Sequence, residues 1–277
     1  MIRQYKLINA DAEVIDLMDE STFFGDTNGL GISRTIETVT SGFCFIPVRN
    51  ELDRQNISGT LYFADYDNYL TFARFCSRVP LKLYYNTTGT WAHRIVMLQK
   101  LEKPEIDKTT SKLLCPVEFM PESAWRSEAT VFSAAGSEAT GKVYPYTYPF
   151  VYREVAAGAI ALVNNGWNDA QCRLHIMGPV SSPTWSLVHN GLTVLTGNVD
   201  ATIPEGYKIV VDADPLNLEI AEYTIDNEFV QNLYAVSDFD TERFVLIPPG
   251  DSTLFISHQG TEEIVAYAEV IRIAETM

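Results

Sequence analysis

The chain has 277 residues, 46% hydrophobic and 12% aromatic, enough for one large or two ordinary cores and too apolar for a disordered polypeptide. Its net charge of −16 is uneven: residues 1–142 hold 15 basic and 18 acidic side chains, residues 143–277 hold 5 and 18. Such acidity excludes binding that depends on neutralising phosphates, whether of nucleic acid or of an anionic membrane.

In chain order, the N-terminus MIRQYKLINADAEVID has no apolar core of signal-peptide length, so no export address is expected. Gly29-Leu30-Gly31 lacks the third glycine of a dinucleotide loop and reads as a turn. Over residues 63–79, Tyr66, Tyr69, Leu70, Ala73 and Cys76 recur at helical spacing, and Asp65 or Asp67 can cap the start. PLKLYYN, TWAHRIVMLQKL and KLLCPVEFMP then read as strands with polar turns between them. Residues 127–149 are rich in small residues, glycine and proline without a sustained period, and predict a connection between domains 1–142 and 143–277.

The second half reads as β throughout. Nine strand-like runs, from AIALVNN to EEIVAYAEVIRI, predict an antiparallel sandwich or jelly roll. Its longest apolar run, VAAGAIALV at 155–163, is far short of the roughly 20 residues of a membrane span. Within SSPTWSLVHNG (181–191), Asn190-Gly191 predicts a two-residue type I′ hairpin, and Trp185, Leu187 and His189 fall on one face.

Chemistry-bearing patterns are sparse. Cys44, Cys76, Cys115 and Cys172 lie far apart and suit reduced, buried thiols rather than disulfides or a zinc site. On that reading Asn56-Ile57-Ser58 and Asn86-Thr87-Thr88 are not glycosylation sites. No nucleophile elbow, metal motif or calcium loop occurs, so no catalytic residue, metal site or cofactor is expected. The histidines (His93, His175, His189, His258) read as partly buried strand positions. Asp212-Ala213-Asp214 and Asp238-Phe239-Asp240 read as solvated turn aspartates, against a hydrolase that would use them as acid and base. Trp185 reads as core; the alternative is an exposed ring that stacks on a glycan.

Several stretches together resemble the distal tail protein family of siphoviruses. They are YKLINADAEVIDLMD with FFGDTNGLGI, then LYFADYDNYLTFARFCS, LKLYYN, HRIVMLQKLEKPEI and LLCPVEFMPESAW, and in the second half SSPTWSLVHNG, IPEGYKIVVDADP and DFDTERFVLIPPGDSTLFIS. Asp251 stands where the family more often has asparagine. The resemblance implies a mainly β protein: an N-terminal split β-barrel with one helix that forms a ring, and a C-terminal galectin-like antiparallel β-sandwich. It implies a structural hub and not an enzyme: a homo-oligomer, six copies closing a ring at the distal end of the tail tube in the virion. Expected partners are the tail tube protein, a tail-associated protein and receptor-binding or baseplate proteins. DNA would pass through the ring without specific binding, no membrane would be involved, and synthesis would be in the host cytoplasm. A carbohydrate-binding sandwich that contacts host cell-wall glycan is the alternative function.

Overall fold

The computed structural model describes residues 3–86, 89–133, 135–136, 157–260 and 262–276. The first strands are Gln4–Ile8 (β1), Val14–Asp16 (β2), Thr22–Asn28 (β3), Arg34–Ser41 (β4), Cys44–Leu52 (β5) and Ile57–Phe63 (β6). Helix Tyr66–Cys76 (α1) follows, then Leu81–Asn86 (β7), Trp91–Leu101 (β8), Leu113–Pro121 (β9), Trp125–Ser127 (β10), Thr130–Ser133 (β11) and Ala135–Gly136 (β12). Ala157–Asn164 (β13), Ala170–Met177 (β14), Val180–Ser181 (β15), Thr184–His189 (β16), Leu192–Asn198 (β17), Thr202–Ile203 (β18) and Tyr207–Asp212 (β19) come next. Glu219–Thr224 (β20), Phe229–Asn232 (β21), Leu246–Ile247 (β22), Gly250–Ser257 (β23), Ala266–Ile271 (β24) and Ile273–Ala274 (β25) complete the order. The protein is mainly β with one α-helix among the described residues, and its sheets are antiparallel.

Two compact units are formed, residues 1–128 with 274–277, and residues 129–273. The division falls before the 142/143 boundary expected from composition. Thr130–Ser133 belongs to the second unit because it pairs along Val270–Tyr267 of β24. From residue 137 to 149 the expected connection lies outside the described residues, as do Thr87 and Thr88.

In the first unit the sheet path is β2-β1-β7-β8-β9-β6-β3, with β10 beside β8. Period-2 alternation drives it: in LLCPVEFMP, Leu113, Cys115, Val117 and Phe119 point inward in turn. The core is aromatic-rich, with Phe24, Phe63, Phe72, Phe119 and Trp125 fully buried. Asp65 caps α1 by accepting the Asn68 N–H at 2.8 Å. The helix, however, is rotated from the expected face. Phe72, Phe75 and Cys76 are buried, whereas Tyr66 and Leu70 are exposed. Phe72 and Tyr69 pack on Phe63, at ring separations of 5.4 and 5.7 Å, and these larger contacts choose the face. Gly29 (φ +84°) is a turn residue whose missing Cβ leaves room for the Asn56 carbonyl.

The second unit is a two-sheet sandwich. One sheet runs β11-β24-β14-β19-β20-β21 with β22 beside β14, and the other runs β12-β13-β23-β16-β17. Both contribute to one core, in which Leu174, Ile176, Ile209, Val211 and Val270 face Ile160, Leu162, Leu187, Leu254 and Ile256. Phe229–Asn232 is a strand that polar flanks conceal in the sequence, and in RFVLIPP, another of the nine strand-like runs, the strand contracts to Leu246–Ile247. Asn190 (φ 51°) and Gly191 (φ 78°) form the expected type I′ turn, closed by His189 opposite Leu192.

Candidate assembly surface

Among the described residues, strands β4 and β5 pair only with each other. Every residue of both strands is exposed. At the root, the Asp53 carboxylate accepts from the Ser33 and Thr35 hydroxyls at 3.0 and 2.5 Å, which holds its pKa below the ordinary carboxylate value. Arg34 pairs there with Glu275. Further out, Arg49 bridges Glu37 and Glu51 at 3.1 and 2.6 Å. Beyond these charges the arm is apolar. Val39 is opposite Ile46 on one face, Ile36 and Phe45 lie on the other, and Phe43 occupies the Gly42-Phe43 turn. Phe45 is 73% exposed and Val48 61%. A lone two-stranded ribbon is marginal in water, and this one leaves both edges unpaired. Its composition is that of a docking element.

Cys44 is exposed on this arm, a departure from the expected set of four buried thiols. Cys76, Cys115 and Cys172 are buried as expected, and burial pushes the thiols of Cys76 and Cys115 up to about 12 and about 11.

A second exposed feature sits on the sandwich. Trp167, in the loop NNGWND between β13 and β14, is 91% exposed. The loop is pinned from beneath by Asn164, which donates to the Asn168 and Ile247 carbonyls at 2.9 and 2.8 Å and accepts the Gly166 N–H at 2.8 Å. Sequence pattern alone does not single out this tryptophan as functional. The available signal was a lone aromatic among turn residues, where no strand alternation could take it inward.

Trp185 lies at the opposite extreme, with 2% of its surface exposed. Its indole N–H donates to the Arg243 carbonyl at 2.9 Å. Its cross-strand partner is Gly197, and a Cβ there would come within 2.5 Å of the indole. Ring and glycine fill one space, so the glycan contact considered for Trp185 has no free ring face to use.

The aspartate pairs separate as well. Asp238 accepts the Asp240 N–H at 2.9 Å in an ordinary turn. Asp212 is buried rather than solvated, since Arg173 grips its Oδ2 through Nε at 2.8 Å and a terminal nitrogen at 2.6 Å. The histidines are scattered: His93 stacks on Tyr84, His175 on Tyr267, and His189 contacts Ser252. His258, buried just beyond β23, accepts the Ser181 and Gly260 N–H groups at Nδ1 and donates from Nε2 to the Glu262 carbonyl. Among the described residues, no three His, Cys, Asp or Glu side chains are grouped to hold a metal ion. Among the same residues, no helix is long and apolar enough to cross a membrane.

Residues 4–122, which include the whole β4–β5 arm, match the family described as "Distal tail protein, N-terminal domain". Over these residues the chain is similar to the N-terminal domain of distal tail proteins. Likeness of fold extends over the rest. A chain from the baseplate of phage P2 in its activated conformation with calcium superposes with a TM-score of 0.69 at 16% identity, covering 100% of both chains. The strontium form of that baseplate gives 0.68 at 16% identity, again over 100% of both. The Dit protein of phage SPP1, described as a paradigm of hub adsorption apparatus in Gram-positive infecting phages, gives 0.64 at 7% identity over 97% of this chain and 99% of that one. No curated protein matches by sequence.

Proposed function

We propose that the chain is a distal tail protein, a structural hub of a phage tail tip, in which six copies close a ring through their first units and the second units carry adhesion or baseplate proteins outward. The observation that carries the reading is the β4–β5 arm: apolar on both faces, unpaired at both edges, and rooted in polar clamps that fix its direction. Such an arm on one copy docked to a different surface of the next makes a heterologous contact, which closes into a ring when the rotation between copies closes. Charge agrees with this placement. The near-balanced first half lets copies approach, while the acidic second half repels its like.

The number six, the tail tube and tail-associated partners, and passage of DNA through the opening follow from the family resemblance. A channel that lets DNA pass needs no basic patch, and the chain's acidity suits that role. The hub reading requires no catalysis. Trp167 offers the second unit a preorganised aromatic anchor of the kind that dominates protein interfaces.

Light scattering across a concentration series, with negative-stain imaging of the same sample, tests the proposal. Hexameric rings with an open centre are expected, and a variant carrying Phe45→Asp and Ile46→Asp, one on each face of the arm, should be monomeric. A wild-type chain that stays monomeric at every concentration, or a variant that still forms rings, overturns it.

A further inference from the structure

The outer face of the seven-stranded sheet carries a polar trough. Its shape follows from register. One row of neighbouring outward positions is Glu269, Arg173, Asp212 and Glu219, on β24, β14, β19 and β20. The next row is Tyr267, His175, Val210 and Ala221, and beyond it Lys208 sits opposite Tyr223. Short Val210 and Ala221 between two rows of long side chains leave a depression, with a volume of about 550 Å³. That lies within the ~300–1,000 Å³ usual for small-ligand sites.

The floor of this trough is not satisfied by the protein. His175 is 5% exposed, its ring is stacked on Tyr267 at 4.2 Å, and neither ring nitrogen has a hydrogen-bond partner among the described residues. The nearest polar group is the Glu269 carboxylate, 3.5 Å from Nε2. Burial, helped by Lys208 and Arg173, holds this imidazole at about 4, so near neutral pH it presents one donor and one acceptor. Leaving such buried groups unmade costs roughly 1–3 kcal/mol. Around it, Lys208 is buried and donates to Asn227 Oδ1 at 2.6 Å, while Glu219 accepts from Tyr223 at 3.1 Å and from Asn217 at 3.3 Å.

We propose that this trough binds a neutral saccharide, whose hydroxyls pair with His175, Lys208, Glu219 and Glu269 while a sugar face lies against tyrosine. Each hydroxyl donates and accepts, which suits a lining where carboxylates alternate with Arg173, Lys208 and a neutral imidazole. Two cations against three carboxylates, within a half-chain carrying 5 basic and 18 acidic residues, disfavour an anionic ligand such as a phosphorylated polymer. The site lies on a different strand set from Trp185, and the proposal is independent of ring formation.

Saturation-transfer NMR on the full chain with glucose, galactose, rhamnose and N-acetylglucosamine, and with glycerol phosphate as the anionic probe, tests it. Transfer to at least one neutral sugar is expected. His175→Phe, which keeps the stack on Tyr267 but removes both nitrogens, should weaken binding roughly tenfold, as loss of one buried hydrogen bond predicts. Glu219→Ala, at the solvent edge of the trough, should weaken it in a chain whose thermal melt is unchanged, and decides the matter if His175→Phe folds poorly. Transfer to none of the four sugars, binding unaffected in both variants, or preference for glycerol phosphate overturns the proposal. Light scattering on the same variants keeps its failure distinct from failure of the ring.

Discussion

Two hairpins of this protein are made of similar residues and have opposite fates. The β16–β17 hairpin joins its sheet through β23, and it buries Trp185, Leu187 and Leu195 in the sandwich core. The β4–β5 hairpin carries as many large apolar side chains but joins no further strand and buries none of them. The difference teaches that an apolar ribbon is completed either by its own sheet or by another chain. The first hairpin obtains its stability within the molecule, and the second leaves its apolar surface exposed.

Substitutions that unmake the internal hairpin should have the largest effect. Trp185→Ala removes a fully buried ring and its bond to the Arg243 carbonyl, and should cost about 3–5 kcal/mol in urea unfolding. An unchanged unfolding midpoint would show that the two hairpins are energetically alike and would break the comparison. Gly197→Ala asks whether ring and glycine share one space. With a Cβ set 2.5 Å from the indole, a loss of about 1–3 kcal/mol is expected, and a neutral result would mean that the ring can step aside.

Acid should act on both units, because each holds a histidine whose pKa is lowered by partial or full burial. Burial, with Lys82 and Arg126 adding to it, holds His93 at about 4, and burial with Lys208 and Arg173 does the same for His175. Both folded values lie below the ordinary 6.5, so the unfolded chain binds more protons between the two. Their contribution is complete above about 6.5 and is lost as pH falls through about 4, on the order of 1–2 kcal/mol each after solvent screening. Urea unfolding followed from neutral pH to about pH 4 should show this decline, and His93→Phe with His175→Phe should flatten it. On the external hairpin the smallest effect on stability is expected. Phe45→Asp with Ile46→Asp should leave the melting of the monomer within ~0.5 kcal/mol of wild type. A large destabilisation would place those side chains in a core of their own chain and erase the contrast.

Much of the local geometry was legible from particular residues, whereas the β4–β5 arm was not. Asp65 before a helical run, Asn190-Gly191 between alternating runs, and Gly29 beside a polar turn specify local geometry that neighbouring atoms alone decide. The face of α1 was not legible, since Tyr66 and Leu70 fit the same period as Phe72 and Phe75, and only packing on Phe63 selects between them. Asp212 read as a turn aspartate because Arg173, on another strand, is invisible at that distance in sequence. Trp167 and Trp185 are the same residue type, one in a turn-rich loop and one in an alternating strand, and their exposures of 91% and 2% follow those settings.

By itself, then, the sequence determined the β class, the helix and its cap, the tight turns and the split of charge between the halves, all of which depend on local conformation and composition. Only the tertiary structure decided which apolar ribbon is core and which stays exposed, and which outward side chains meet across four strands to form the trough. Those outcomes rest on register between segments far apart in the chain, where shifting a strand by one residue exchanges its inward and outward faces.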